Sequence, residues 1–406
     1  MERVYNRRVL HTTPQASKPF MKIWIGDRLL SYTMDNDRKV HTPNIYQNLT
    51  LTRLEDAGSR LGLSLYDREW ETIESDLSKN YNNTRVQYGF VDGAVSPIYK
   101  MIMLNYNIDY RMSGIILTTN GMSTGAVDNL EDIDIDTGGT LNPTEAVKSI
   151  CKSMGWKVVD SNFDSSSDAV LTTTDSFDTI QENPIKYIKE YIIPNIPGDD
   201  NYYFYLDDST DPPTAYFKKY TYNNTEATKT YVYMRGYDTP VLSLSMDVNG
   251  LLGGMELTPV TNMISGVIDP YTKEQSTVTQ DIDAVRTTVT GTYSHTPKYV
   301  ADAKYNSVGY NKAQTNTILK YSMKRTSDRI YTGNMTIVGD PTMKMLDTIR
   351  IIVITDKGNL HHTSGLYIVT GITDNVSSTF TTTLKFIRNG DIETGIELVN
   401  YRNLVR

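Results

Sequence analysis

The sequence contains a single cysteine, Cys151, among 406 residues. One cysteine excludes an internal disulfide framework and a cysteine-based zinc site, and it suits a protein that assembles in a reducing cytoplasm. No apolar run reaches the roughly 18 residues of a membrane span, and no long apolar stretch follows the positively charged residues 1–8. We therefore predict no membrane anchor and no export by a leader peptide.

Basic residues are fewer than acidic ones, 40 against 48, which gives a formal net charge of −8. Binding to nucleic acid needs clustered Lys and Arg, so specific or nonspecific nucleic-acid binding is not expected and the partners are predicted to be proteins. Phe is scarce as well, with 8 residues against 29 Tyr. The excess of Tyr over Phe indicates that many aromatic side chains are half exposed, as is common on sheets and at interfaces.

The sequence motifs that most reliably mark enzymes are missing. There is no phosphate-binding Walker loop, no Gly-x-Ser-x-Gly elbow, no His-Glu-x-x-His and no dinucleotide fingerprint. Acidic residues could supply a carboxylate pair for glycoside hydrolysis, but the sequence brings no two of them together. We predict a protein that is not an enzyme, with no catalytic residues and no cofactor.

Two groups of residues were weighed as metal sites. Neighbouring residues on a strand point to opposite faces, so His361 and His362 chelate poorly, and a turn before Ser364 is the favoured setting. Alternating Asp132, Asp134 and Asp136 suggest a calcium loop. The sixth position of that loop is Thr and the twelfth is Pro, where an EF-hand has Gly and Glu. A solvated linker is favoured, a looser calcium site stays open, and no metal site is predicted.

The length predicts two to four domains. Period-two alternation, as in Met21, Ile23 and Ile25, predicts strands up to about residue 122, with a short helix over residues 67–77. The Asp-, Gly- and Thr-rich residues 121–141 are the predicted first linker.

The middle third is predicted to be α+β. Asn142 and Pro143 begin a helix that ends at Gly155, and Asn183-Pro184 begin a second one that stops at Pro194. Aromatic runs at 202–206 and 214–220 predict strands with one core face and one interface face, which is favoured over sugar binding or base stacking.

Alternation returns at residue 241, the polar residues 275–312 are interpreted as an insertion, and an amphipathic stretch at 313–325 leads into the last strands. The predicted units are a 1–19 N-terminal arm, a 20–128 first β-barrel, a 140–238 middle α+β domain, a second β-barrel from 239–274 plus 313–395, the 275–312 insertion and a 396–406 tail.

The C-terminal third resembles a known family. Val338-Gly-Asp-Pro341, an apolar run from Ile349 to Ile354, Ser364-Gly-Leu-Tyr-Ile-Val-Thr370 and a Thr-rich strand from Phe380 resemble the last barrel of baseplate hub proteins of contractile-tailed phages and phage-like particles. Related modules occur in the N-terminal part of VgrG spike proteins of type VI secretion. One departure is the turn at 345–348, Met-Leu-Asp-Thr, where a Gly-Asp pair is commoner.

The resemblance implies a mainly β fold with an α+β middle domain and two tube-protein-like β-barrels per chain, a hub-type architecture. It also implies a homotrimer whose pseudo-sixfold ring links the hexameric tail tube protein to the trimeric central spike protein, with a lumen for DNA or tape-measure passage. Tape-measure and baseplate wedge proteins are further expected partners. The expected location is the virion tail baseplate, assembled in the bacterial host cytoplasm.

Two other functions were weighed against the structural hub. A tail-tip receptor- or carbohydrate-binding virion protein would use the Tyr-rich strands to contact glycans. An enzyme that cleaves cell-wall glycosides ranks third, because no residues can be named for it. The hub is favoured, since the resemblance covers most of residues 20–390 in the expected order.

Overall fold

A computed structural model gives the fold, in which β-strands predominate. It describes residues 19–31, 46–55, 58–67, 73–91, 93–130, 133–135, 142–166, 180–196, 201–220, 227–235, 239–248, 262–268, 275–281, 298–300, 331–356, 360–361 and 363–388. The predicted N-terminal arm, but for Pro19, the amphipathic stretch at 313–325 and the tail at 396–406 lie outside these residues.

The first unit is a barrel-like sheet covered by one helix. Its elements are β1 (Pro19–Ile25), β2 (Arg28–Ser31), β3 (Tyr46–Leu54), β4 (Gly58–Asp67), α1 (Ile73–Lys79), β5 (Thr84–Phe90), β6 (Tyr99–Arg111) and β7 (Gly114–Ser123). Alternate side chains of a strand face one side, and the predicted inward positions Met21, Ile23 and Ile25 are buried. The helix is predicted over residues 67–77; the described helix is Ile73–Lys79, and Asp67 belongs to β4.

The middle unit packs helices on a hairpin. Its elements are α2 (Thr124–Asp128), β8 (Ile133–Ile135), α3 (Pro143–Ser153), β9 (Ile180–Glu182), α4 (Pro184–Tyr187), a π-turn (Ile188–Ile192), a 3₁₀ turn (Ile193–Asn195), β10 (Asn201–Asp207) and β11 (Thr214–Tyr220). Asn142 caps α3 by accepting hydrogen bonds from the Thr144 and Glu145 amides. Gly155 ends it with a φ of 72°, a left-handed conformation that favours glycine. Both predicted helix starts are therefore confirmed.

The predicted linker at 121–141 is wrong in part. Strand β7 continues to Ser123, α2 follows directly, and β8 pairs with β9. The Ser123 side chain caps α2 by accepting a hydrogen bond from the Ala126 amide at 3.2 Å. Gly and Asp are typical of loops, but in this segment they lie in the capped helical turn α2 and in the short paired strand β8.

The last part of the chain forms two separate sheets. Its strands are β12 (Lys229–Met234), β13 (Val241–Val248), β14 (Asn262–Ile268), β15 (Gln275–Asp281), β16 (Lys298–Val300), β17 (Tyr331–Val338), β18 (Thr348–Ile354), β19 (Gly365–Val376) and β20 (Phe380–Arg388). Strands β12, β13 and β17–β20 surround a second core, whereas β14 pairs with β15 and β16.

The pairing of β14 crosses the predicted boundary between the second barrel and the insertion. Residues 239–274 were assigned to the barrel, but β14 lies within them and pairs with strands of the predicted insertion at 275–312. Polar, Thr-rich sequence does not prevent strand formation, because the ladder is made by backbone groups. Alternation identified β14 as a strand but carried no information about its neighbour. The domain limits stay predictions.

One strand joins the two barrels. Strand β19 pairs with β20 on one side; on the other side its first residues pair with β18 and residues 371–376 pair with β3. The central sheet therefore runs β13-β17-β20-β19-β3-β4-β7-β6-β5-β1-β2 across both units. Val376 and Phe380 from the second unit also enter the core of the first. The predicted fold class, mainly β with an α+β middle unit, is confirmed.

No helix among the described residues is both long enough and apolar enough to span a membrane.

Candidate functional site

The residues weighed as metal ligands have ordinary structural surroundings. The Nδ1 of His361 lies 2.8 Å from the Thr363 hydroxyl, and the His361 carbonyl accepts the Ser364 amide, so the predicted turn is confirmed. His362, Asp132 and Asp136 lie outside the described residues. Asp134 belongs to β8 and pairs with Gln181, which corrects the interpretation of this segment as a linker. Within the described ranges, no three His, Cys, Asp or Glu side chains are grouped to hold a metal.

The aromatic runs lie in the core and between units, as their strand spacing predicted. Tyr202 and Phe204 of β10 pack in the core of the middle unit. Tyr203 points the other way, onto Ile368 and Ile387 of the second barrel. These three aromatic side chains of β10 are nearly fully buried, so they offer no open platform to a sugar or a base.

A buried ion pair lies where β3 meets β19. Arg53 Nη2 donates to Asp374 Oδ2 at 2.7 Å, and neither side chain is more than 11% exposed. Arg53 Nη1 also donates to the Tyr99 hydroxyl at 3.2 Å and to the Met343 carbonyl at 3.0 Å. The hydroxyl of Tyr88 donates to Asp374 at 2.6 Å. The pair thus connects four strands and a loop drawn from both barrels.

The same network continues into the corner at 338–341. The Thr382 hydroxyl donates to Asp374 Oδ1 at 2.6 Å and accepts the Asp340 amide at 2.9 Å. Asp340 in turn forms an ion pair with Lys229 and accepts hydrogen bonds from Thr342. Charged and polar groups therefore run without a break from Tyr88 in the first barrel to β12 in the second. Such a network fixes one relative orientation of the barrels, because each member needs its partner in place.

Electrostatics favour the charged form of Arg53. Burial by itself lowers the pKa of the guanidinium, but Tyr99, Tyr88 and Asp374 more than offset this, so the pKa lies above its ordinary value. Burial raises the pKa of Tyr88 well above its ordinary value, and the neighbouring Asp374 raises it further. Tyr88 therefore stays protonated and keeps donating to Asp374 at neutral pH.

The β10–β11 hairpin docks on the first barrel through polar contacts. Asp208 Oδ2 accepts the Ser59 amide at 2.9 Å, and Lys100 pairs with Asp211 at 2.6 Å. Lys189, from the π-turn, donates to the Glu55 carbonyl at 2.9 Å. A cavity of about 350 Å³ remains at this junction, walled by Tyr205, Tyr216, Tyr99 and the loop at 341–345 of the second barrel.

The turn that departs from the family pattern keeps a left-handed backbone. Leu346 has a φ of 62°, in the region that Gly adopts without strain. Its amide donates to the Val369 carbonyl at 2.9 Å, and its side chain packs against the cluster of Tyr203, Ile368 and Ile387. Leu346 thus has the left-handed backbone that Gly adopts easily. The apolar packing of its side chain stabilises this conformation.

Within the described residues, strand β6 has an open edge on one side, beyond the point where β5 pairs with it. Strand β5 pairs with β6 only at residues 99–101, and no described strand lies beside residues 104–111 on that side. Leu104 is 50% exposed and Tyr110 is 67% exposed. An apolar groove of about 550 Å³ between α1 and this edge includes Leu77, Tyr81 and Met103. The central sheet ends at β13, where Leu242 is 55% exposed.

Sequence reasoning missed the Arg53–Asp374 pair. The two residues are separated by 321 positions, and a lone charge on an alternating strand ordinarily predicts a solvent-facing side chain. The available signal was the position of Asp374 in β19, in phase with the buried Ile372 and Val376. A charge on the inward face of a strand indicates a buried partner.

No protein-family model and no curated protein matches the sequence. Solved structures do match the fold. A tail protein from Neisseria meningitidis MC58 aligns over 92% of this chain and 97% of its own, with a TM-score of 0.56 and 10% identity. The 43 kDa tail protein of prophage MuSo2 from Shewanella oneidensis aligns over 91% and 98%, with a TM-score of 0.56 and 11% identity. At such identities the likeness concerns the fold, along nearly the whole of all three chains.

Proposed function

From this fold, which is that of two phage-type tail proteins, we propose that the chain is a structural baseplate hub subunit. In this role three copies form a ring that links a hexameric tail tube to a trimeric central spike. The observation that carries the proposal is the pair of barrels joined edge to edge within one chain by β3 and β19. Three such chains present six barrels, so a trimer can match the sixfold symmetry of the tube and the threefold symmetry of the spike.

The end strand β13, and the stretch of β6 at residues 104–111 that has no described strand beside it on one side, support a ring of this kind. The path from β13 to β6 contains eight strands, and the junction in its middle already shows how one barrel adds to another by strand pairing. If β6 of one copy pairs with β13 of the next, three copies close a sheet of 24 strands. Closure removes the exposed edges, which otherwise promote uncontrolled association.

The proposed role is one of contact and not of catalysis. It rests on the fold, on the buried network that holds two barrels in one orientation, and on the exposed apolar edge of β6. We further propose that the lumen of the ring passes DNA or a tape-measure protein. The net charge of −8 would keep DNA from adhering if acidic side chains line that lumen. A ring with its acidic residues on the outer surface would contradict this part.

Lysines on the open edge should prevent ring formation. In the double variant Leu104→Lys and Tyr110→Lys, two charges would have to be buried between β6 and the neighbouring copy. We expect the protein concentration at half association to rise at least about tenfold, which for a trimer is a hundredfold change in the dissociation constant, or about 2.7 kcal/mol. Sedimentation equilibrium of the full chain measures this directly, and the wild type should reach three times its monomer mass.

Leu130→Lys is the matched control, because Leu130 is 59% exposed but lies on neither edge strand. It should associate like the wild type. A wild-type chain that stops at two or at four copies contradicts the proposed ring. So does an edge variant that associates as readily as the control.

A further inference from the structure

Asp208 is a buried acid at the junction of the hairpin and the first barrel. It follows β10 directly and is 7% exposed. Its Oδ2 accepts the Ser59 amide, while its Oδ1 is buried with no hydrogen-bond partner among the described residues. Gly125 of α2 lies against Oδ1 so closely that an added Cβ would be 3.0 Å away. A buried carboxylate normally has donors on both oxygens, so Oδ1 is left unsatisfied.

Among the described residues, no basic side chain compensates the charge of Asp208. Asp207, beside it on the same hairpin, has the same sign and also lines the junction cavity. From the first barrel, Ser59, Ser123 and Tyr99 face the site, and Arg53 is held by Asp374. From the second barrel, Lys344 lines the same cavity, where its charge acts on Asp347. An ionised Asp208 therefore has donors on one oxygen and repulsion from Asp207.

The protonated form of Asp208 is accordingly favoured in the docked state. Burial raises the pKa of Asp208 to about 6, hydrogen bonds from Ser59 and Ser123 oppose this, and Asp207 adds to it. The ordinary value is 3.8. Because the docked state binds this proton more tightly, the contribution of Asp208 to docking is fully present below about pH 4 and is lost as the pH rises from about 4 to about 6.

The interface between the β10–β11 hairpin and the first barrel has the features of an interface that can open. It includes one ion pair with partly exposed members, Lys100–Asp211, and a cavity of about 350 Å³ interrupts the packing. Polar interfaces between units within a chain permit relative motion, and regions with few apolar contacts open at low free energy. Ionisation of one buried group is enough to bias such an equilibrium.

We propose that Asp208 is a proton-operated latch between the first barrel and the β10–β11 hairpin. With the carboxyl group protonated the hairpin stays docked through the Ser59 amide. With the carboxylate ionised the contact loosens and water enters through the adjoining cavity. The latch is a property of the folded chain and holds whether or not the chain forms a ring.

Hydrogen exchange of the Ser59 amide in the full-length chain tests the latch. Protection factors, which correct for the chemical effect of pH on exchange, should fall about tenfold between pH 5 and pH 8 in the wild type, given the two pKa values above. Asp208→Asn should show no such fall, because its amide cannot ionise. Asp207→Asn is the matched control: it removes the neighbouring charge in the same cavity and should keep most of the fall.

Infrared spectroscopy of the wild type and of Asp207→Asn gives a readout that does not depend on how Asp208→Asn folds. Both proteins should show the carbonyl stretch of a buried protonated carboxylic acid at pH 5, and this band should disappear with a midpoint near pH 6. Absence of the band at pH 5 overturns the latch. A wild-type Ser59 amide equally protected at pH 5 and pH 8 overturns it as well.

Discussion

Replacing Arg53 by methionine is expected to lower the free energy of unfolding by about 3–5 kcal/mol. The reason is that Asp374, which is fully buried, would be left with a negative charge and without the guanidinium 2.7 Å away. Met has a similar length and fills the same space, so the loss reports the unpaired charge more than a cavity. Urea denaturation of the full chain, followed by circular dichroism, measures the change.

Two further variants separate the buried pair from a simple loss of charge. Arg28 and Asp76 form an ion pair of similar length, 2.8 Å, with Arg28 half exposed. Arg28→Met should therefore change stability by less than about 1 kcal/mol. The double variant Arg53→Met and Asp374→Asn should recover part of the loss, since it buries no unpaired charge. Equal losses from Arg53→Met and Arg28→Met would show that the pair does not hold the barrels together.

Replacing Gly339 by alanine is expected to destabilise the protein by about 3 kcal/mol through overpacking. The added methyl group would overlap the ring of Phe380, which cannot retreat because Tyr88 and Phe90 pack on it at ring-centroid distances of 5.6 and 5.2 Å. The Gly339 amide also donates to the Phe380 carbonyl at 2.9 Å, which fixes the backbone at this corner. Thermal and urea unfolding would both record the loss.

Gly62→Ala is the comparison for this substitution. Gly62 lies in β4, and the atoms nearest to its added Cβ are 3.9 Å away, so the methyl group fits. Its stability should stay within about 1 kcal/mol of the wild type. If Gly339→Ala is as mild as Gly62→Ala, the corner at 338–341 is not packed as tightly as described.

Local structure could be predicted from the sequence because its signals are local. Asn142, Pro143 and Gly155 specify the start and the stop of α3 by capping groups within one or two turns. The inward positions of β1 follow from alternation alone, since successive side chains on a strand face opposite sides. The resemblance in the C-terminal third pointed to the fold that the tail proteins share with this chain.

Long-range pairing could not be predicted, because alternation identifies a strand and not its neighbour. Strand β19 pairs with β3, more than 300 residues earlier, and β14 pairs with β15 and β16 and not with the second barrel. The buried partnership of Arg53 with Asp374 depends on the first of these pairings. The burial of Asp208 could not be predicted either, because only the docked hairpin places its carboxylate among buried groups.

A reconstruction by electron cryo-microscopy of the particle that contains this chain tests the central claim most directly. We expect three copies in a ring between tube and spike, with β6 of each copy paired to β13 of the next in a continuous sheet of 24 strands. Six or more copies at the periphery of the particle, or three copies whose β6 edges face solvent, would contradict it.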